Sequence, residues 1–161
     1  MRAHAHRVVL AALSLSVTLA VVVASPPARA GVDADVRAGV FTSADNAVGV
    51  GAGILTPIGD RNYRWYANPN AEFAVGNTDE NLVSVNGDFH YDLAHQRTTS
   101  VWVGAGPAVI IQDRHGDSNT DLGLNLLAGM GKTRGTVRPY GQVKGVLSDN
   151  SGVAIVGGVR F

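Results

Sequence analysis

Asp88, His90 and Asp92 fall at alternate positions, with Ser84 four residues before Asp88. In an extended chain, side chains two and four apart share a face. These residues would therefore line up as a histidine between two carboxylates, with a hydroxyl further along. Such a set could activate a nucleophile or relay a proton. For lipid chemistry it would have to face acyl chains, and the pattern of the whole chain turns it the other way. The sequence also lacks a nucleophile elbow, a phosphate-binding glycine loop and zinc-ligand spacing. It has no cysteine, and beyond residue 30 its histidines are His90, His95 and His115. A non-enzymatic protein without cofactor or transition metal is expected.

The elements that position these residues are strands. Apolar residues recur with a period of two, separated by short Gly, Asn and Asp clusters, which predicts eight strands near 32–42, 47–57, 64–76, 82–94, 99–112, 121–132, 137–148 and 152–161. In the first, Val36, Ala38 and Val40 oppose Asp33, Asp35, Arg37 and Phe41. In the second, Val48, Val50 and Ile54 oppose Gly49, Gly51 and Gly53. In the third and fourth, Trp65, Phe73, Val83, Val85, Phe89 and Tyr91 oppose Asn68, Asn70, Glu72, Ser84, Asn86, Asp88, His90 and Asp92. Leu122, Leu124 and Leu126 oppose Gly123 and Asn125 in the sixth. The seventh gathers Arg138, Tyr140, Gln142 and Lys144 on its polar side, and the eighth sets Val153, Ile155 and Val159 against Arg160.

Ahead of the strands, Arg2 and Arg7 precede an apolar run from Val8 to Ala24, then Pro26-Pro27 and Ala28-Arg29-Ala30. This is the pattern of a secretory signal cleaved after Ala30. Residues 1–30 are thus expected to be a signal peptide and 31–161 a single domain. Arg2, Arg7 and Arg29 are three of the 13 bases, so the mature chain carries ten against 13 acids, a net charge of −3. That balance argues against a nucleic-acid partner. Without cysteine, neither disulfides nor lipidation after the signal can hold the protein in place.

Alternation alone does not decide which face is inside. A soluble lipocalin-like barrel binding a small apolar ligand would hide the oily face, whereas a transmembrane barrel hides the polar one. Glycines among the charges suit a narrow lumen where bulky and small residues complement each other, and would only weaken a wet outer face. The Val, Ala and Leu face is a thin filling for a soluble core. Strands of roughly 10 to 13 residues match a tilted bilayer crossing rather than the usual soluble strand of about 5 or 6. The expected fold is all-β, an eight-stranded antiparallel up-and-down transmembrane barrel. Trp65, Phe89, Tyr91 and Phe161 would form an aromatic girdle at one rim, with little beyond Phe73 at the other.

Val153, Ile155, Val159 and Phe161 share one face of the last strand, and Phe161 is the final residue. This strand resembles the C-terminal recognition signal of Gram-negative outer-membrane proteins. In strand number and hairpin spacing, the chain from residue 31 onward resembles the small eight-stranded barrels of the OmpA and OmpX transmembrane type. It departs from their pattern at Gly157, where a larger apolar residue is usual, and at Val156, where a glycine is. The resemblance implies residence in the outer membrane and contact with its lipid and lipopolysaccharide. It further implies insertion by the barrel-assembly machinery, a monomer, and both chain ends on the periplasmic side.

That topology sorts the charges. Asp45, Asp79, Glu80, Asp113, Asp117, Asp121 and Asp149, with Arg114, would lie in or beside the outer loops. Arg61, Arg64, Arg97, Lys132 and Arg134, with Asp60, would lie at the periplasmic end. The rest would be lumenal: Asp33, Asp35, Glu72, Asp88 and Asp92 facing Arg37, Arg138, Lys144 and Arg160, with His90 beside them. No charge is left facing lipid, where Arg or Lys at the midplane would cost about 2 to 4 kcal/mol. Since an eight-stranded bore is only wide enough for side chains, this set is expected to interlock as a polar plug. A gated path for protons or small ions is the alternative, with His90 as a titrating member. The stretch from Gln112 to Asp121 is the longest predicted connection. It could hold Ca²⁺ or Mg²⁺ through Asp113, Asp117 and Asp121, or be a solvated hairpin. The function expected is a structural or surface-interaction role in the cell envelope.

Overall fold

The computed structural model describes residues 31–42, 46–59, 64–76, 80–95, 98–114 and 117–161, without the side chains of His95 and Arg114. The expected signal peptide lies outside these residues, as do Asp45, Asp60, Arg61, Asp79, Arg97 and His115. Eight strands follow one another: β1 Asp33–Phe41, β2 Ala47–Ile58, β3 Trp65–Val75, β4 Glu80–His95, β5 Thr99–Arg114, β6 Asp117–Lys132, β7 Arg138–Leu147 and β8 Gly152–Arg160. Each pairs antiparallel with the next, and β8 returns to β1, with Asp35 opposite Arg160 and Phe41 opposite Ala154, closing the barrel. Closure removes the free edges an open sheet would leave in lipid. One end carries Asp33 and Arg160, here termed the terminal end; the other carries the β1–β2, β3–β4, β5–β6 and β7–β8 connections, here termed the hairpin end.

The faces divide as the alternation predicts. Val50, Ile54, Val85, Phe89, Leu124, Leu126 and Ile155 are exposed on the outside, and Asp35, Glu72, Asp88, His90 and Lys144 are buried within. A soluble barrel would show the reverse. Trp65 and Tyr91 pair across β3 and β4 on the outer face, their ring centroids 4.9 Å apart. Val153, Ile155, Val159 and Phe161 lie on the outer side of β8, and the Phe161 N–H donates to the Ala34 carbonyl at 2.9 Å.

The largest departure from expectation is at the β5–β6 tip. The predicted connection over 113–120 is mostly ladder, with Asp113 opposite Ser118 and Arg114 opposite Asp117. Beyond the apolar band both faces of a strand meet water, so the sequence loses its polar-apolar alternation while the backbone pairing persists. The strand β4 likewise begins ahead of its expected start, at Glu80. Glu80 and Asp121, expected in or beside outer loops, are instead buried on the lumenal side. A register shift between Asp92 and Ala94 sets Leu93 as a bulge near the terminal end of β4.

Candidate functional site: the barrel lumen

The lumen is filled in layers. Nearest its middle, Arg37 on β1 grips the carboxylate of Asp35, with N–O distances of 2.7 to 2.9 Å, and donates to the Asn68 side-chain oxygen at 2.9 Å. Asn68 in turn donates to Asp35 at 2.9 Å, and the Tyr140 hydroxyl reaches the same carboxylate at 3.0 Å from β7. Arg37 also lies 3.5 Å from Glu72, whose other oxygen is paired with Lys144. These groups are almost completely buried, and each charge is met by an opposite charge, as burial requires.

Asp88 is satisfied differently. Its two oxygens accept from the Asn70 amide at 2.9 Å and the Asn125 amide at 2.8 Å. Asn125 also donates to Asn86 at 2.9 Å, and Asn86 to Asn70 at 3.0 Å, closing an amide ring around the carboxylate. The expected ion pairing of Asp88 is therefore replaced by neutral donors. The charge pattern had no means of revealing this, because it counts only ionised groups. Four asparagines on the polar faces, all at lumenal parity, were the available signal.

Toward the hairpin end the bore is narrowed by an apolar cap, a buried cluster of Phe41, Ala47, Ala74, Leu82, Ala108, Ile110, Ala154 and Val156. Leu82, Ile110 and Val156 break the polar pattern of the lumenal face. They fill the bore there without needing hydrogen-bond partners. The free space here is about 10 Å³, bounded by Phe41, Leu82 and Ile110 of this cap, by the Glu72–Lys144 pair, and by Gln112 and Asn150 at the hairpin end, room for roughly one water.

At the terminal end Trp102, Tyr140, His90 and Arg160 stack together. The His90 and Trp102 rings are nearly parallel at 6.0 Å, and the Arg160 guanidinium lies 4.4 Å from the Trp102 ring and 4.5 Å from that of Tyr140. Arg138 and Asp33 form an ion pair of 2.7 Å at the rim. Glycines make room for these bulky groups. A Cβ on Gly129 would sit 2.6 Å from the Trp102 ring, and one on Gly51 would sit 2.8 Å from the Glu72 side chain.

The geometry gives Ser84, Asp88 and His90 separate partners. Ser84 donates to Glu72 at 3.3 Å, Asp88 is engaged by amides, and His90 stacks on Trp102. Six residues separate Ser84 from His90, about 20 Å along a strand. The carboxylates of the β5–β6 hairpin are divided too. Register places Asp117 and Asp121 on the lumenal side and Asp113 on the outer side, and Asp121 accepts from Asn119 at 2.8 Å. Among the described residues no three His, Cys, Asp or Glu side chains gather to hold a metal ion.

No protein-family model and no curated protein matches the sequence. By structure the chain is similar to Neisserial surface protein A, with a TM-score of 0.63 at 17% identity, covering 80% of this chain and 94% of that one. It is also similar to the N-terminal β-barrel domain of Pseudomonas aeruginosa OprF, with a TM-score of 0.56 at 14% identity, covering 80% and 96%. A closed eight-stranded sheet, oily outside and ionic within, is the fold of the small outer-membrane β-barrels, and it is the fold of this chain.

Proposed function

We propose that the protein is exported by its N-terminal signal and resides in the outer membrane as a monomeric, non-enzymatic barrel with a plugged lumen. Its role is structural or one of surface contact. The observation that carries this reading is the filled bore: an apolar cap, an ion-pair layer and an amide-ringed carboxylate follow one another, with about 10 Å³ free beside the cap and the ion pair. An open pore needs a continuous wet path, and a ligand-binding barrel needs a cavity of hundreds of Å³. Catalysis is disfavoured by the distance between Ser84 and His90 and by the inward aim of both.

The uncharged outer band would contact lipid, and the acidic hairpin tips would meet the lipopolysaccharide layer and its divalent ions. The outer side of β8, through Val153, Ile155, Val159 and Phe161, would be read by the barrel-assembly machinery. Membrane fractionation tests the placement. The protein should remain with outer membranes through a urea wash, require detergent for extraction and migrate differently on a gel before and after boiling. Release by buffer or urea alone would refute it.

A further inference from the structure

At the terminal mouth of the lumen, buried polar side-chain atoms line a cavity without hydrogen-bond partners. The cavity is about 70 Å³. His90 Nε2 and Ser100 Oγ have no hydrogen-bond partner although both residues are more than nine-tenths buried, and both line this space. Each such atom left dry forfeits its hydration with nothing in return. Two on one wall mark a place where something polar belongs.

The charges of the wall say what kind of group fits. Arg138, Arg160 and Lys132 line it against Asp33 and Asp92. Asp33 is engaged by Arg138 at 2.7 Å. Arg160 is held over the Trp102 and Tyr140 rings, and the Nε atoms of both arginines are also without partners. The rings fix the guanidinium plane and leave its edge to donate, the arrangement that suits an oxygen-rich anion. One water needs about 10 to 15 Å³ of such space, so the cavity takes several waters or one small tetrahedral anion, and falls well short of the roughly 300 Å³ at which pockets for drug-sized ligands begin.

We propose that this mouth is a binding site for a small oxoanion of the phosphate class, held by Arg138 and Arg160 with Ser100 and His90 as neutral donors.

The chain has two tryptophans, and only Trp102 lines the cavity. In a Trp65→Phe background, Trp102 therefore reports on the site. The refolded barrel in detergent micelles would be titrated with inorganic phosphate at constant ionic strength, with sodium chloride as the control. A saturable change in Trp102 emission is expected with phosphate and not with chloride. Ser100→Ala and Arg138→Gln should each weaken it by about tenfold, the loss of one hydrogen bond to a charged group. Gel mobility confirms that each variant is folded, and Lys132→Gln, which removes a cation from the exposed rim of the same cavity, should weaken binding without disturbing the buried network. No saturable response, an equal response to chloride, or affinity unchanged in all three variants would overturn the proposal and assign the space to water.

Discussion

Lys144 on β7 spans the lumen to pair with Glu72 on β3, the strand four places away around an eight-strand ring. Both side chains are about 1% exposed, so the pair is a strut across the bore in a region without bulk water. Arg37 stands 3.5 Å from the second oxygen of Glu72, which makes the strut asymmetric.

That asymmetry gives the first prediction. Glu72→Leu removes the ion-pair partner of Lys144 and should cost about 3 to 5 kcal/mol, the usual result of stranding a buried charge. Lys144→Met leaves Glu72 with Arg37 and Ser84 and should cost less, about 1 to 3 kcal/mol. The double variant should recover much of the loss, because two apolar groups need no partner. Urea unfolding in lipid vesicles measures all three. Additive losses in the double variant would contradict the strut.

Packing of bulky residues against glycines supplies the second. Gly129→Val drives a side chain into Trp102 and should reduce the folded fraction on unboiled gels, at a cost of about 1 to 3 kcal/mol or more. Gly141→Ala, where the added carbon meets nothing within 4 Å, should fold like the parent. Equal behaviour of the two variants would show that the lumen is looser than the geometry implies.

A third prediction addresses the outer face. Val85 is 56% exposed within the uncharged band, and Val85→Arg should destabilise the vesicle-inserted barrel by about 2 to 4 kcal/mol. Ser118→Arg, at the exposed β5–β6 tip, should cost about 0 to 1 kcal/mol. Urea titration of the inserted protein reads both, and indifference to the Val85 change would mean that the band does not meet hydrocarbon.

Conduction is the fourth. With about 10 Å³ free beside the hairpin-end cap, the parent protein should give no steady unitary currents in planar bilayers. Steady steps that vanish on changing Lys144 or Asp88 would replace the plug by a pore.

Legibility in the sequence followed the physics of each region. All eight strands stood out between the two rims, because an exposed apolar face and a narrow polar lumen impose a strict period of two. Beyond the rims, at Asp117 to Thr120, water bathes both faces and the strand could not be told from a loop. Membership of the lumenal set was readable at Asp35, Arg37, Glu72 and Lys144. Their partners were not, because who meets whom across the bore depends on barrel stagger. Alternation is blind to stagger. Asp88 shows the consequence, since its partners Asn70 and Asn125 lie on β3 and β6, the latter 37 residues away. The apolar cap at Leu82, Ile110 and Val156 was hidden because it breaks the rule that made the rest visible.

The account rests on the oily face meeting lipid, and the absence of native cysteine allows that to be measured directly. Nitroxide labels on Val50→Cys, Leu124→Cys and Ile155→Cys in vesicle-inserted protein should collide freely with dissolved oxygen and rarely with a water-soluble nickel chelate. High nickel accessibility with low oxygen accessibility at these three positions would place the face in water and contradict the account.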